Sequence, residues 1–441
     1  MEGHLNTLRK VVLAGARAVL PVFCTTPTVA LHRESGLLPP EIELNQLALM
    51  ATVRIRRLDP DHPLRLRAEK ILLTQRPSSR FARRVLDLPL SEQVNPLRYA
   101  PWIVCESRQT TLLRIHGPRG QSKEQATKDF LDFYTSLPSS DITLFSDGSQ
   151  LADGRTGGGY IGYQASQQVV RGSFSLGYAR EVFDAEAEAA LAGAKAALAS
   201  PASRTAKDLW IFLDNSAVAT QLLAPSIGSS QSVFHAFCEL AYSWPTRERL
   251  PDTPPGIVRI RWVPGHTQVH GNEAADQAAK EGAALPPPNS LLLSLATLKR
   301  QAKAKGPAAA CTLWRTVAPK SYQELEITTS PLPPDELKLR RHILGRILAA
   351  RSGHGDFADY HERFSHEDAY LLYSCGTRKG RLHFFFCRRA KRRSPRPPEA
   401  PSLVLPTLLG TPRGLRELAS WLDKTRFFED ICPRYPLSSI V

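Results

Sequence analysis

The chain has 441 residues, 42% hydrophobic and 22% charged, so it can bury more than one core; single cores stop growing near about 250–300 residues. Lys and Arg outnumber Asp and Glu by 57 to 42, a net charge of +15 that favours polyanionic partners, phosphates above all. Seven cysteines (Cys24, Cys105, Cys238, Cys311, Cys375, Cys387 and Cys432), odd in number and far apart, exclude a secreted disulfide framework and point to a reducing compartment.

In chain order, the apolar stretch Val11–Val22 is interrupted by Arg17 and too short to span a bilayer, so it reads as an amphipathic helix, with no cleavage pattern behind it. Residues 1–75 read as helical, with a basic cluster from Arg54–Arg57 to Arg65–Arg67. Residues 76–140 carry prolines and few periodic runs, and read as a connector.

From 141 to 284 strand and helix signals alternate. Ile142–Phe145 is a short apolar run, Gly157–Tyr163 a strand with close backbone approach, and Val169–Leu176 a third strand; short turns make them an antiparallel meander. Glu181–Ser200 is alanine-rich without proline, hence helical. Leu209–Leu213 is a continuous apolar run, a strand buried on both faces. Ser229–Trp244 reads as helix, Ile257–Val263 as a fifth strand, and Asn272–Gly282 as the last helix. This order predicts an α/β fold: a mixed five-stranded sheet, three antiparallel strands plus two parallel, covered by helices. A proline-rich linker and helix (285–330), a small basic region with histidines (331–395) and a tail (396–441), into which the basic run Arg388–Arg393 leads, complete the chain.

Four acids fall where such a fold can bring them together. Asp147 is expected at the end of the first strand and Asp214 at the end of the buried one, so parallel neighbours would join their carboxylates. Glu186 shares a helix face with Val182, Ala189, Ala190 and Gly193 and should point inward, whereas Glu188 should face water. Asp276 lies in the last helix. Taken singly, Asp147 reads as turn chemistry before Gly148, Asp214 as a helix cap, and Glu186 and Asp276 as surface charges. Together, buried carboxylates repel and need protons or cations. Hard oxygen donors suit Mg²⁺ or Mn²⁺, and a pair of such ions is the chemistry of phosphodiester hydrolysis.

The series Phe145-Ser-Asp-Gly-Ser149, Gly157-Gly-Gly-Tyr-Ile-Gly162, Asp184-Ala-Glu186, Phe212-Leu-Asp214, Trp262-Val-Pro-Gly-His266 and Asn272-Glu-Ala-Ala-Asp276 resembles the ribonuclease H family from end to end. The resemblance implies a ribonuclease H-like fold and an endonuclease that cuts the RNA strand of RNA–DNA hybrids with two Mg²⁺ or Mn²⁺ ions. It implies Asp147, Glu186, Asp214 and Asp276 as metal ligands, and His266, rather than His270, as the residue assisting proton transfer or product departure. Gly148, Ser149 and Asn215 are implied as substrate contacts, and Gly157–Gly159 as part of the handling of the RNA strand.

The flanks extend the resemblance. Thr25–Gly36 and Leu58–Leu64 resemble the segment after the polymerase core of fungal non-LTR retrotransposon proteins; Arg351–Phe357, Tyr360-His361 and Ser374-Cys-Gly376…His383…Cys387 resemble their C-terminal region. This implies the C-terminal piece of a longer reverse transcriptase, without a polymerase motif, located in nucleus or cytoplasm and not on a membrane. The C-terminal cluster departs from a zinc knuckle, because Tyr373 stands at the first ligand position. It reads either as a Zn²⁺ site of Cys375, His383 and Cys387, with His366 as stand-in, or as a degenerate knuckle held by Phe384–Phe386 that contacts nucleic acid. Two rival readings of the whole chain are a truncated, inactive nucleic-acid-binding remnant and a scaffold segment of a retroelement particle.

Overall fold

The computed structural model describes residues 2–97, 121–289, 292–329, 333–391 and 401–432, so Cys105, the end of the basic run Arg388–Arg393 and parts of the 76–140 and 396–441 segments lie outside them. The chain divides into two compact units, Leu49–Ala302 and Met1–Ala48 with Lys303–Val441. No helix among the described residues is long and apolar enough to cross a membrane.

In the first unit, β1 (Ile142–Gln150), β2 (Thr156–Gln164), β3 (Gln167–Gly177), β4 (Leu209–Leu213) and β5 (Val258–Trp262) form one sheet in the order β3-β2-β1-β4-β5. β1–β2 and β2–β3 pair antiparallel, β1–β4 and β4–β5 parallel. This is the mixed sheet the sequence predicts. The helices that matter for this sheet and its site are α1 (Lys123–Thr135), α2 (Val182–Ala199), α3 (Ser216–Leu222), α4 (Gln231–Ser243) and α5 (His270–Ala284).

Strand alternation separates two cores. Ile142, Leu144, Leu209, Ile211 and Leu213 bury against Ala187, Ala190 and Ala194 of α2 and Phe234 and Phe237 of α4. Phe145, Ile161, Trp210 and Phe212 bury against Phe130 of α1 and Ala275 of α5. The continuous apolar run of β4 is therefore explained, because each of its faces meets a different core. α1 falls in the stretch read as a connector, yet its Phe130 meets Phe212 edge-on at 5.2 Å and Phe145 at 6.4 Å. Burying such a ring contributes about 1.5–3 kcal/mol.

The glycine run of β2 has a packing cause. A Cβ at Gly157 would stand 2.1 Å from the Ala283 backbone nitrogen, and one at Gly159 2.1 Å from that of Ala279. α5 thus lies directly on the β2 backbone, which its own small residues Ala275, Ala279 and Ala283 allow.

The second unit joins segments far apart in sequence. Arg351, fully buried, pairs with Glu34 (2.9 Å) and Glu336 (2.7 Å) and donates to the Leu409 carbonyl (2.8 Å). Thr25 Oγ1 lies 2.8 Å from the Tyr360 hydroxyl and 3.0 Å from His354 Nδ1. The motifs Thr25–Gly36 and Arg351–Phe357 are thus parts of one polar staple. Such a buried charge survives because each of its three nitrogens has an acceptor and two carboxylates face it.

Candidate active site

The parallel β1–β4 ladder ends at the Phe145–Phe212 pair. Asp147 and Asp214 each lie two residues beyond it, so in-register parallel strands deliver both carboxylates to one face at one height. The register is fixed at the other end by two acids that precede the strands. Asp141 accepts from the Asp208 amide (3.1 Å) and Trp210 Nε1 (3.2 Å); Asp208 accepts from the Ile257 amide and Arg259 Nε, both at 2.8 Å. Asp147 does not end its strand, as expected, but sits within it opposite Gly159. β1 continues because β2 still pairs with it as far as Gln150–Thr156, after β4 has stopped.

Glu186 reaches the same place from α2. Gly148 makes this approach feasible: a Cβ there would meet the Glu186 backbone nitrogen at 2.6 Å and its Cγ at 2.8 Å. Carboxylate oxygens of Asp147, Glu186 and Asp214 all lie within 4.8 Å of one another. Asn215 caps α3, accepting from the Ala217 and Val218 amides, and its Nδ2 donates to Glu186 Oε1 at 3.2 Å. The other Glu186 oxygen, Oε2, is buried without a hydrogen-bond partner.

Asp276 on α5 adjoins Asp147 closely enough to raise its proton affinity, and accepts from Lys280 Nζ at 2.6 Å. His266 stands in the turn before α5 with φ of 54°, a left-handed backbone uncommon for a side-chain-bearing residue, and its charge acts on Asp214. Asn272 works in the same direction as His266, lowering the proton affinity of the Asp214 carboxyl, and Trp262 Nε1 donates to the Asp214 backbone carbonyl (2.7 Å). His270 faces Tyr163 instead, with ring centroids 6.3 Å apart.

The electrostatics follow from crowding. Burial, then the neighbouring Asp214, pushes the Asp147 carboxyl from 3.8 up to about 7. Burial, followed by Asp147 and Asp214, holds Glu186 well above the usual carboxylate range. Asp214 is raised by burial, against the opposing pull of His266 and Asn272. Among the described residues no Lys or Arg forms an ion pair with these three acids. A set of hard oxygen donors, one of them orphaned, with proton affinities raised by mutual repulsion, fits divalent cations such as Mg²⁺ or Mn²⁺.

Ser149 lies beside Gly148 on β1, half-buried. Packing against α5 and Phe174 accounts for Gly157–Gly159 without any ligand. Glu188 does not face water as expected; it is half-buried and lies 3.5 Å from Arg180 Nε, because the Arg180 loop folds over that side of the helix. Cys375, His383 and Cys387 gather in the second unit, whereas His366 lies 3.0 Å from His361, nitrogen to nitrogen. Three further roles escape the sequence reading. Asp141 and Asp208 set the strand register, and a carboxylate just before each buried strand is the signal that could have found them. Asp184 of the Asp184-Ala-Glu186 motif is structural: it completes a capping box with Glu181 and accepts from Ser230 Oγ (2.7 Å) and Ser294 Oγ.

No family model and no curated protein sequence matches the chain. Similar solved structures include RNase H1 from the halophilic archaeon Halobacterium salinarum, 21% identical over 32% of this chain and 96% of that one, with a TM-score of 0.25. LC11-RNase H1, isolated from compost by a metagenomic approach and solved in complex with RNA/DNA hybrid, is 14% identical over 32% of this chain and 98% of that one, with a TM-score of 0.26. The protease-reverse transcriptase of prototype foamy virus is 20% identical over 34% of this chain and 22% of that one, also with a TM-score of 0.26.

Proposed function

We propose that residues 141–284 form a divalent-metal-dependent endonuclease that hydrolyses the RNA strand of RNA–DNA hybrids. One observation carries this reading: acids from two strands and a helix, far apart in sequence, converge within 4.8 Å and leave a buried Glu186 oxygen without a partner. Asp147, Glu186 and Asp214 would hold the ions, with Asp276 at the margin beside Asp147. Bound divalent ions supply Lewis acidity and positive charge opposite a phosphodiester. The chain's own residues do the rest. Asn215 orients Glu186; Trp262 fixes the Asp214 backbone; His266, on a turn next to Asp214, offers an imidazole that can take or give a proton near the same place. The net charge of +15 belongs to the chain as a whole and lies in the flanks, since within residues 141–284 Asp and Glu outnumber Lys and Arg by 15 to 11. The flanking motifs around Thr25–Gly36 and Arg351–Phe357 support an origin in a retroelement reverse transcriptase.

The test is cleavage of a labelled RNA–DNA hybrid with and without Mg²⁺, using the full chain and Asp147→Asn. The reading expects metal-dependent cleavage of the RNA strand by the unmutated chain and none by the variant. Hybrid binding without cleavage in the unmutated chain would replace it with an inactive binding remnant.

A further inference from the structure

The second unit carries a cluster of different chemistry, in which the chain itself supplies a ligand that the sequence pattern lacks. Cys375 stands in a tight turn: the Tyr373 amide donates to the Thr377 carbonyl (2.9 Å), the Gly376 amide to the Tyr373 carbonyl (2.9 Å), and Gly376 takes φ of 80°. His383 opens the short helix His383–Phe386, and Cys387 follows it directly. Cys432 arrives from far down the chain, just past the π-helical turn Phe427–Ile431 that follows the helix Pro412–Thr425. Ser374 Oγ donates to the Ile431 carbonyl at 3.3 Å, tying the turn to the returning segment next to a ligand on each side.

Cys375 Sγ lies 3.2 Å from His383 Nε2, and ligand atoms of Cys375, His383, Cys387 and Cys432 all lie within 4.8 Å of one another. Cys387 and Cys432 are 1% and 3% exposed, set among Phe384, Phe385 and Phe427. We propose that Cys375, His383, Cys387 and Cys432 form a closed Cys₃His site for a structural zinc ion. Soft thiolates with one imidazole are the donor set of structural zinc, and Zn–S bonds of about 2.3 Å put tetrahedral thiolates a little under about 4 Å apart. Such spacing is within reach of the observed cluster, in which Cys387 and Cys432 are buried and Cys375 and His383 half-buried, and four protein ligands complete a tetrahedral shell.

The site departs from a knuckle built on local spacing. Tyr373 occupies the place of a first cysteine, but its ring stacks on His383 (centroids 5.0 Å apart, planes at 23°), so it orients the imidazole. Cys432 supplies the remaining ligand. The metal consequently ties the Tyr373–Cys387 turn to the C-terminal helix instead of only to itself, and zinc binding becomes part of the folding free energy of that segment.

The experiment is metal analysis of the full chain purified with Zn²⁺ present, with zinc X-ray absorption on the same sample. The proposal expects one zinc per chain, bound by three sulfurs and one nitrogen. In competition with a chromophoric chelator, Cys432→Ser should weaken zinc binding by on the order of a hundredfold, while His366→Ala leaves it unchanged. Absence of retained zinc, or a shell with only two sulfurs, overturns the proposal, and so does a Cys432→Ser chain that holds zinc as tightly as the unmutated one. Should Cys432→Ser fail to fold, the sulfur count of the unmutated chain decides alone. The outcome is independent of any nuclease activity.

Discussion

The two candidate ion sites of this chain are built on opposite plans. The acids Asp147, Glu186 and Asp214 hang on a sheet and a helix whose geometry is set by apolar cores on both sides, so the cluster exists before any ion arrives and is strained by repulsion in its absence. The thiols and imidazole of Cys375, His383, Cys387 and Cys432 stand on turns, a four-residue helix and a returning terminus, elements with little rigidity of their own. An ion at the first site would answer a framework that pays for its charge in stability, whereas an ion at the second would help to make the framework. Catalytic sites need the first arrangement, because the donors must not relax to suit the ion.

The largest expected effect falls on activity. Glu186→Gln should cut the hybrid-cleavage rate by on the order of a thousandfold while leaving the zinc content unchanged. Loss of zinc in this variant would break the distinction between the clusters.

Stability gives the next test, with a sign peculiar to the acid cluster. The folded state holds the Asp147 proton more tightly than the unfolded chain does, up to about 7 against 3.8. That contribution is complete below the unfolded value and is lost as pH rises through the folded one. In ion-free buffer at about pH 8, Asp147→Asn should therefore stabilise the first unit by about 4 kcal/mol, and the gap should close as pH falls toward about 4. Urea unfolding followed by tryptophan fluorescence measures it. An Asn variant no more stable than the parent at the higher pH would mean that the carboxylates are not crowded.

His266→Ala should lower the cleavage rate by about a hundredfold with unchanged Mn²⁺ affinity, because the imidazole acts beside the ligands and not as one of them. Single-turnover rates and a metal titration separate the two. The smallest effect belongs to Asn215→Ala, which removes the α3 cap and the Glu186 contact together and should cost about 1 kcal/mol in thermal unfolding.

What could be read beforehand follows the same division. The acids were legible because strand alternation and parallel register are local, periodic properties: Phe145 to Asp147 and Phe212 to Asp214 are the same step on neighbouring strands. The five strands follow from the same periodicity. α1 escapes the sequence reading although Phe130, Phe133, Tyr134 and Leu137 keep helical spacing, because this short stripe stands at the end of a long stretch with prolines and few other periodic runs. Asp141 and Asp208 were passed over as strand boundaries, although their carboxylates act across strands. Cys432 left no local trace at all, since its partners lie in a turn and a short helix far upstream. Closure through a distant chain segment has no period to detect.

The most direct measurement is anomalous scattering from crystals of the full chain soaked in Mn²⁺. The account predicts Mn²⁺ peaks within about 2.3 Å of oxygens from Asp147, Glu186 and Asp214, one of them satisfying Glu186 Oε2. A map with no peak among these three carboxylates, at an ion concentration that supports cleavage, would contradict it.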